Sequence, residues 1–168
     1  MAFPVLFFMW LLMGGLGLVG YNEWITELIG KDPTQEMVLA MQEEQDPATL
    51  LMLCMVAVIG APFSEEVVFR GYIYPTMKRF VGVTGSVLFS AALFSAVHLN
   101  LGALLPLFVL GVILAVSYEM TGSLWMPIAI HLVFNLATVV VQMAKKMSPE
   151  LQEQLEQKAR EVAILWGG

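Results

Sequence analysis

Cysteine is nearly absent. Cys54 is the single one among 168 residues, so no intramolecular disulfide can form, and in the apolar run LLMLCMVAVIG it reads as helix packing. Charge is also scarce: 13% of residues are Asp, Glu, Lys or Arg against 58% hydrophobic, and mean hydropathy is +0.77. That composition leaves too little polar surface to cover a soluble globule and points to a membrane protein. The net charge of -6 arises mainly from residues 23–46 and 148–161, which read as solvated faces and argue against nucleic acid as a partner. No long Ser/Pro/Gly linker and no internal repeat divides the chain, so one compact domain is expected. The first twenty residues lack the basic leader and small-residue cleavage site of a secretory signal, and they read as a retained anchor.

What is present is a series of long apolar segments. The first covers about 2–21 and ends at Tyr21, Asn22, Glu23 and Trp24, a group suited to the headgroup level. A short interfacial helix is expected at 33–45, with Pro33 at its start, Met37, Val38 and Met41 on one face, and Asp46-Pro47 as its stop. A second segment runs from Ala48 to about Arg79. Residues 83–118 contain no Asp, Glu, Lys or Arg and are too long for one crossing, so they must fold back, with the turn placed at Asn100-Leu101-Gly102. Segments three and four are thus about 83–99 and 103–119, and a fifth is about 121–143, with Trp125 as an interfacial anchor and Pro127 in its first turns. Lipid requires each backbone polar group to be satisfied internally, so the expected fold is all-α, a polytopic transmembrane helical bundle of about five crossings. The tail opens with the helix-start triplet Ser148-Pro149-Glu150. Leu151, Leu155, Ala159, Val162 and Trp166 then recur at helical steps, which predicts an amphipathic surface helix. The chain therefore divides into an anchor with interfacial helix (1–47), a helical core (48–143) and an amphipathic tail (144–168).

Within these segments a few polar residues stand out. Glu65 and Glu66 are adjacent, and buried carboxylates in lipid are costly unless paired, liganded or hydrated. Glu66 and Arg70 have the four-residue spacing that lets an acid and a base meet on one helical face. Glu65 points about 100° away, which assigns it to chemistry and Glu66 with Arg70 to support. His98 follows Phe94 by four residues, and His131 precedes Asn135 by four. By helical rise, Glu65 and His98 stand at comparable depth, roughly 21–22 Å from Arg79 and Val83. His131 is only roughly 11 Å from Leu124, a mismatch that calls for an earlier start, a tilt or a shared cavity.

Two mechanisms suit these groups. In one, Glu65, His98 and His131 ligate a divalent metal such as zinc, which acidifies a bound water. In the other, Glu65 and His98 activate water as base and orienter, while His131 and Asn135 donate to the oxyanion. Neither needs a serine or cysteine nucleophile, and the HExxH pattern of soluble zinc proteases is absent. Three non-proteolytic readings use the same residues: a membrane haem protein with His98 and His131 as axial ligands, a proton-coupled transporter, and a non-catalytic immunity scaffold.

The ordered motifs EExxxR (Glu65-Glu66-Val67-Val68-Phe69-Arg70), FxxxH (Phe94 to His98) and HxxxN (His131 to Asn135) resemble those of the CPBP family, the CAAX proteases and bacteriocin-processing enzymes, which includes type II CAAX prenyl proteases. The resemblance covers roughly residues 48–143. It implies a multi-pass integral membrane endopeptidase, in the plasma membrane if bacterial, acting on membrane-associated protein or peptide substrates and carrying a metalloprotease label. It also implies Glu65, His98, His131 and Asn135 at the active site, with Glu66 and Arg70 supporting them.

Overall fold

The computed structural model describes residues 2–30, 36–148 and 157–158, and among these there are helices and turns but no strand. Helix α1 (Ala2–Leu18) ends before Gly20, whose φ of 71° reverses the chain into α2 (Tyr21–Ile29). Sequence reading takes Tyr21 to Trp24 as the end of the first crossing and does not foresee α2. This helix buries Ile25 and is pinned by the Tyr21 hydroxyl, which donates to the Leu101 carbonyl at 3.1 Å. The interfacial helix is seen as α3 (Glu36–Glu43); residues 31–35 lie outside the described residues. Met41 faces inward, while Met37 is exposed.

Asp46 acts as a start as well as a stop. Its carboxylate accepts from the Thr49 backbone N–H and hydroxyl, each at 2.8 Å, and so caps α4 (Pro47–Met55). These bonds, the backbone one foremost, hold the Asp46 carboxyl below its usual range. From Pro47 the chain continues as one long rod through α5 (Ala61–Val68) into α6 (Tyr74–Ala96), with wide π-helical turns at Val56–Gly60 and Phe69–Ile73. A proline follows each wide turn, at Pro62 and Pro75. Its ring clashes with the carbonyl four residues back, and its missing N–H breaks the ladder, so a wider turn relieves both conflicts.

The rod breaks at Gly82, not at Arg79. Gly82 adopts φ 70° and ψ -175°, a conformation essentially restricted to glycine, and the second half of α6 then folds back. The next turn also differs from expectation. It occupies Val97 to Asn100, with Leu99 at φ 51°; Asn100 caps α7 (Leu101–Thr121) by accepting from the Ala103 N–H at 2.8 Å, so Leu101 and Gly102 are helical. Gly122, at φ 63°, ends α7, and α8 (Trp125–Met147) completes the described bundle. The predicted tail helix through Leu151, Leu155, Ala159, Val162 and Trp166 lies outside the described residues.

Among the described residues three helices are long and apolar enough to cross a membrane: Pro47–Ala96, Leu101–Thr121 and Trp125–Met147. Because Gly82 divides the first of these, and α1 adds a shorter apolar helix, five rods occupy the positions of the five expected crossings. Their core gathers Met9 of α1, Phe94 of α6, Leu107, Leu110 and Leu114 of α7, and Ile130 of α8 around Phe69. Helices α6 and α7 approach closely at Gly111, where a Cβ would lie 2.9 Å from the Ala91 Cα.

Candidate active site

Glu65 and Glu66 sit on α5, between the two wide turns, and diverge as adjacent helical residues must. Glu66 points inward and is fully buried together with Arg70. One oxygen, Glu66 Oε1, accepts from Arg70 Nη1 at 2.9 Å and lies 2.9 Å from His131 Nδ1. Since a carboxylate only accepts, the imidazole carries its proton on Nδ1 and turns Nε2 the other way. Arg70 reaches onward through Nη2 to the Gly111 carbonyl at 2.9 Å, so α5, α7 and α8 are joined through one guanidinium and one carboxylate.

Glu65 is placed differently. Its side chain is 26% exposed, and Oε2 is buried with no hydrogen-bond partner, 3.8 Å from His131 Nε2. That separation is too long for a direct hydrogen bond, yet short enough for a proton-bearing water or a cation to bridge the two atoms.

His98 lies in the turn just past α6, not within the helix. Its Nδ1 is 2.7 Å from the Phe94 carbonyl, which can only accept, so here too Nδ1 is the donor and Nε2 is left available. Phe94, fully buried, packs edge-on against both imidazoles, at 5.0 Å from the His98 ring and 5.6 Å from that of His131. It also lies 4.9 Å beneath the Arg70 guanidinium. Both histidines are therefore neighbours of one aromatic ring, and each is oriented by its Nδ1. Asn135 Nδ2 donates to the Ala57 carbonyl at 2.8 Å, which ties α8 to the first wide turn and leaves a second N–H.

The depth mismatch for His131 is resolved by where α8 begins. Leu124, the residue before it, packs against Gly71, well inside the long rod and not level with Arg79. The seven residues from Leu124 to His131 rise roughly 11 Å and the five from Gly71 back to Glu66 roughly 8 Å, a difference small enough for the two side chains to meet.

For a divalent ion the donor chemistry is suitable: one carboxylate oxygen without a partner and two imidazoles whose Nδ1 atoms are already engaged, the outer-sphere arrangement typical of ligating histidines. Glu65 and His131 are drawn together, but among the described residues no three His, Cys, Asp or Glu groups form a metal-holding cluster.

The sequence motifs do not include Gly111 or Ala57, whose carbonyls hold Arg70 and Asn135. A backbone acceptor has no side-chain signature; only the glycine, set in a helix that packs through small residues, hints at the close approach.

The family model for type II CAAX prenyl endopeptidase Rce1-like proteins matches residues 47–137, more than half of the chain and every residue of the site. The chain belongs to this family. It is also 28% identical over 154 residues, 90% of its length, to a Bacillus subtilis (strain 168) protein described as "Putative membrane peptidase YdiL". The match covers 59% of that relative, so the chain spans about three fifths of the length of the curated relative. No solved structure matches the chain. With its long apolar helices, this member of the Rce1-like family is an integral membrane protein.

Proposed function

We propose that this chain is an intramembrane endopeptidase that hydrolyses peptide bonds of membrane-associated proteins or peptides, with Glu65 as the general base. The observation that carries the reading is the division of labour between adjacent carboxylates: Glu66 is fully buried with Oε1 against Arg70 and His131, while Glu65 is partly exposed and its Oε2 stands 3.8 Å from His131 Nε2. Membership of an endopeptidase family supports the same conclusion, and CAAX-type processing is the substrate chemistry it suggests.

In the proposed reaction a water oxygen attacks the scissile carbonyl carbon as Glu65 removes one of its protons, and the carbonyl electron pair moves onto oxygen. His98 Nε2, a lone-pair acceptor while Nδ1 donates to Phe94, orients the water through its second hydrogen. The free N–H of Asn135 and, in the imidazolium form, Nε2 of His131 are the donors for the oxyanion. Collapse of the tetrahedral intermediate re-forms the carbonyl and breaks the C–N bond, as Glu65 returns the proton to the leaving nitrogen. Phe94 and the surrounding apolar core exclude bulk water, which strengthens each of these interactions.

The alternative to this direct route is that Glu65, His98 and His131 would instead hold a divalent ion such as zinc. When bound, such an ion acidifies a water at this position.

The test is cleavage of fluorogenic peptides, lipid-modified and unmodified, by the purified chain in vesicles, alongside elemental analysis. Loss of cleavage by at least about a hundredfold in Glu65→Gln is expected for removal of a general base. Wild-type rates in Glu65→Gln would overturn the assignment. A stoichiometric ion that is lost in His131→Ala would support the ion's role, and full activity in ion-free protein would refute it.

A further inference from the structure

A groove of about 400 Å³ lies between α1 and α8, apart from the catalytic groups. On α8 it is lined by Phe134, Thr138, Gln142 and Lys145, a stripe of three- and four-residue steps that keeps one helical face over roughly 16 Å. Met9 and Met13 form part of the opposite wall. Polarity changes along its length. At the inner end Met9 belongs to the hydrophobic core and Phe134 packs on it, whereas Gln142 and Lys145 stand at the outer end, in the last turns of α8.

Its dimensions restrict the occupant. An apolar track of roughly 16 Å suits an extended acyl chain, whose methylenes would lie along Met9, Met13 and Phe134. The charge pattern restricts it further. Lys146 is engaged with the carbonyls of Met41 and Glu44, where it caps α3, whereas the neighbouring Lys145 is exposed and lines the groove. A lysine at a helix C-terminus is favourable by itself, but that role needs no groove leading away from it.

We infer that this groove is a binding site for an anionic phospholipid, one acyl chain lying between α1 and α8 and the phosphate meeting Lys145 and Gln142. The surrounding bilayer supplies the ligand, and a basic residue at the headgroup level is the group that selects negative lipids. The inference is independent of the proposed proteolysis, since none of these residues belongs to the catalytic set.

Native mass spectrometry of the purified full chain, exchanged into detergent with equal amounts of phosphatidylglycerol and phosphatidylcholine, tests it. One retained lipid is expected, with phosphatidylglycerol favoured by about fivefold, the discrimination typical of one basic contact. Lys145→Gln should bring the two lipids to parity, Lys145→Arg should keep the preference, and Ala137→Trp, which fills the groove, should abolish retention of both. Parity in the wild type, or an unchanged preference in Lys145→Gln, would overturn the proposal. Displacement of the retained lipid by a lipid-modified peptide would also overturn it, by making the groove a substrate track.

Discussion

His131 and Glu66, 65 positions apart in sequence, meet at 2.9 Å through Nδ1 and Oε1 in the interior of the bundle. The same carboxylate oxygen receives Arg70, so a single charge orients the imidazole and neutralises the guanidinium.

Glu66→Gln therefore acts on two partners at once. The buried Arg70 loses its counter-charge, and breaking a buried pair in this way costs about 3–5 kcal/mol. Thermal unfolding in detergent should show a large loss of stability. Any protein that still folds should hydrolyse peptide poorly, because the acceptor that fixes the His131 tautomer is weakened. Wild-type stability in Glu66→Gln would contradict the buried pairing.

Gly111→Ala tests the α7 contact. The added Cβ would stand 2.9 Å from the Ala91 Cα and 3.3 Å from Phe94 Cδ1, and the first of these is backbone that cannot rotate away. Overpacking of this kind costs about 1–3 kcal/mol. The shift also draws the Gly111 carbonyl away from Arg70, so activity should fall along with the melting temperature. Gly14→Ala, within α1 where a Cβ meets nothing within 4 Å, is the matched control and should lower neither activity nor melting temperature.

The extent to which sequence anticipates this structure follows from what each signal encodes. Run length and hydropathy report where a helix can lie in lipid, and they locate the long rods to within a few residues. The spacing of Glu66 and Arg70 reports a shared helical face, and the two do form an ion pair. Tertiary offsets carry no such signal. The depth of His131 depends on α8 starting beside Gly71, and the break after the long rod depends on the φ of Gly82, one of several glycines in the region. The turn at Asn100 is misplaced by a few residues because the same asparagine serves equally as a turn residue and as a helix cap; here it caps. Wide turns at Val56–Gly60 and Phe69–Ile73 could have been suspected from Pro62 and Pro75, but a proline indicates a disturbed ladder without specifying whether it kinks, ends or widens.

Acid should loosen the corner between α3 and α4 before it affects the buried core. Asp46 has a folded-state pKa below its unfolded value, so its capping contribution is present above the unfolded pKa and is lost as pH falls through the folded one. Hydrogen exchange at the Thr49 amide should quicken across that acidic range, and Asp46→Asn, which keeps an acceptor without the charge, should flatten the dependence. An unchanged Thr49 exchange rate from neutral pH down through the acid range would argue against the cap.

Asn135 allows the tie to Ala57 to be separated from any part in hydrolysis. Its Nδ2 bond to the Ala57 carbonyl joins α8 to the first wide turn, and that carbonyl belongs to a segment where the regular helical ladder is already disturbed. Asn135→Leu removes the donor and should cost about 1–3 kcal/mol by stranding the acceptor. Asn135→Asp keeps the shape but places a carboxylate against a carbonyl oxygen, so it should destabilise at least as much unless it is protonated. For hydrolysis the two roles diverge. Loss of the tie alone should lower melting temperature with kcat falling only in proportion to folded protein, whereas loss of an oxyanion donor should reduce kcat by about a hundredfold or more in protein that remains folded. Steady-state kinetics on the folded fraction of Asn135→Leu, measured below its melting temperature, decides between them: the proposed mechanism requires the larger fall, and a kcat within a few fold of wild type would reduce Asn135 to a structural tie.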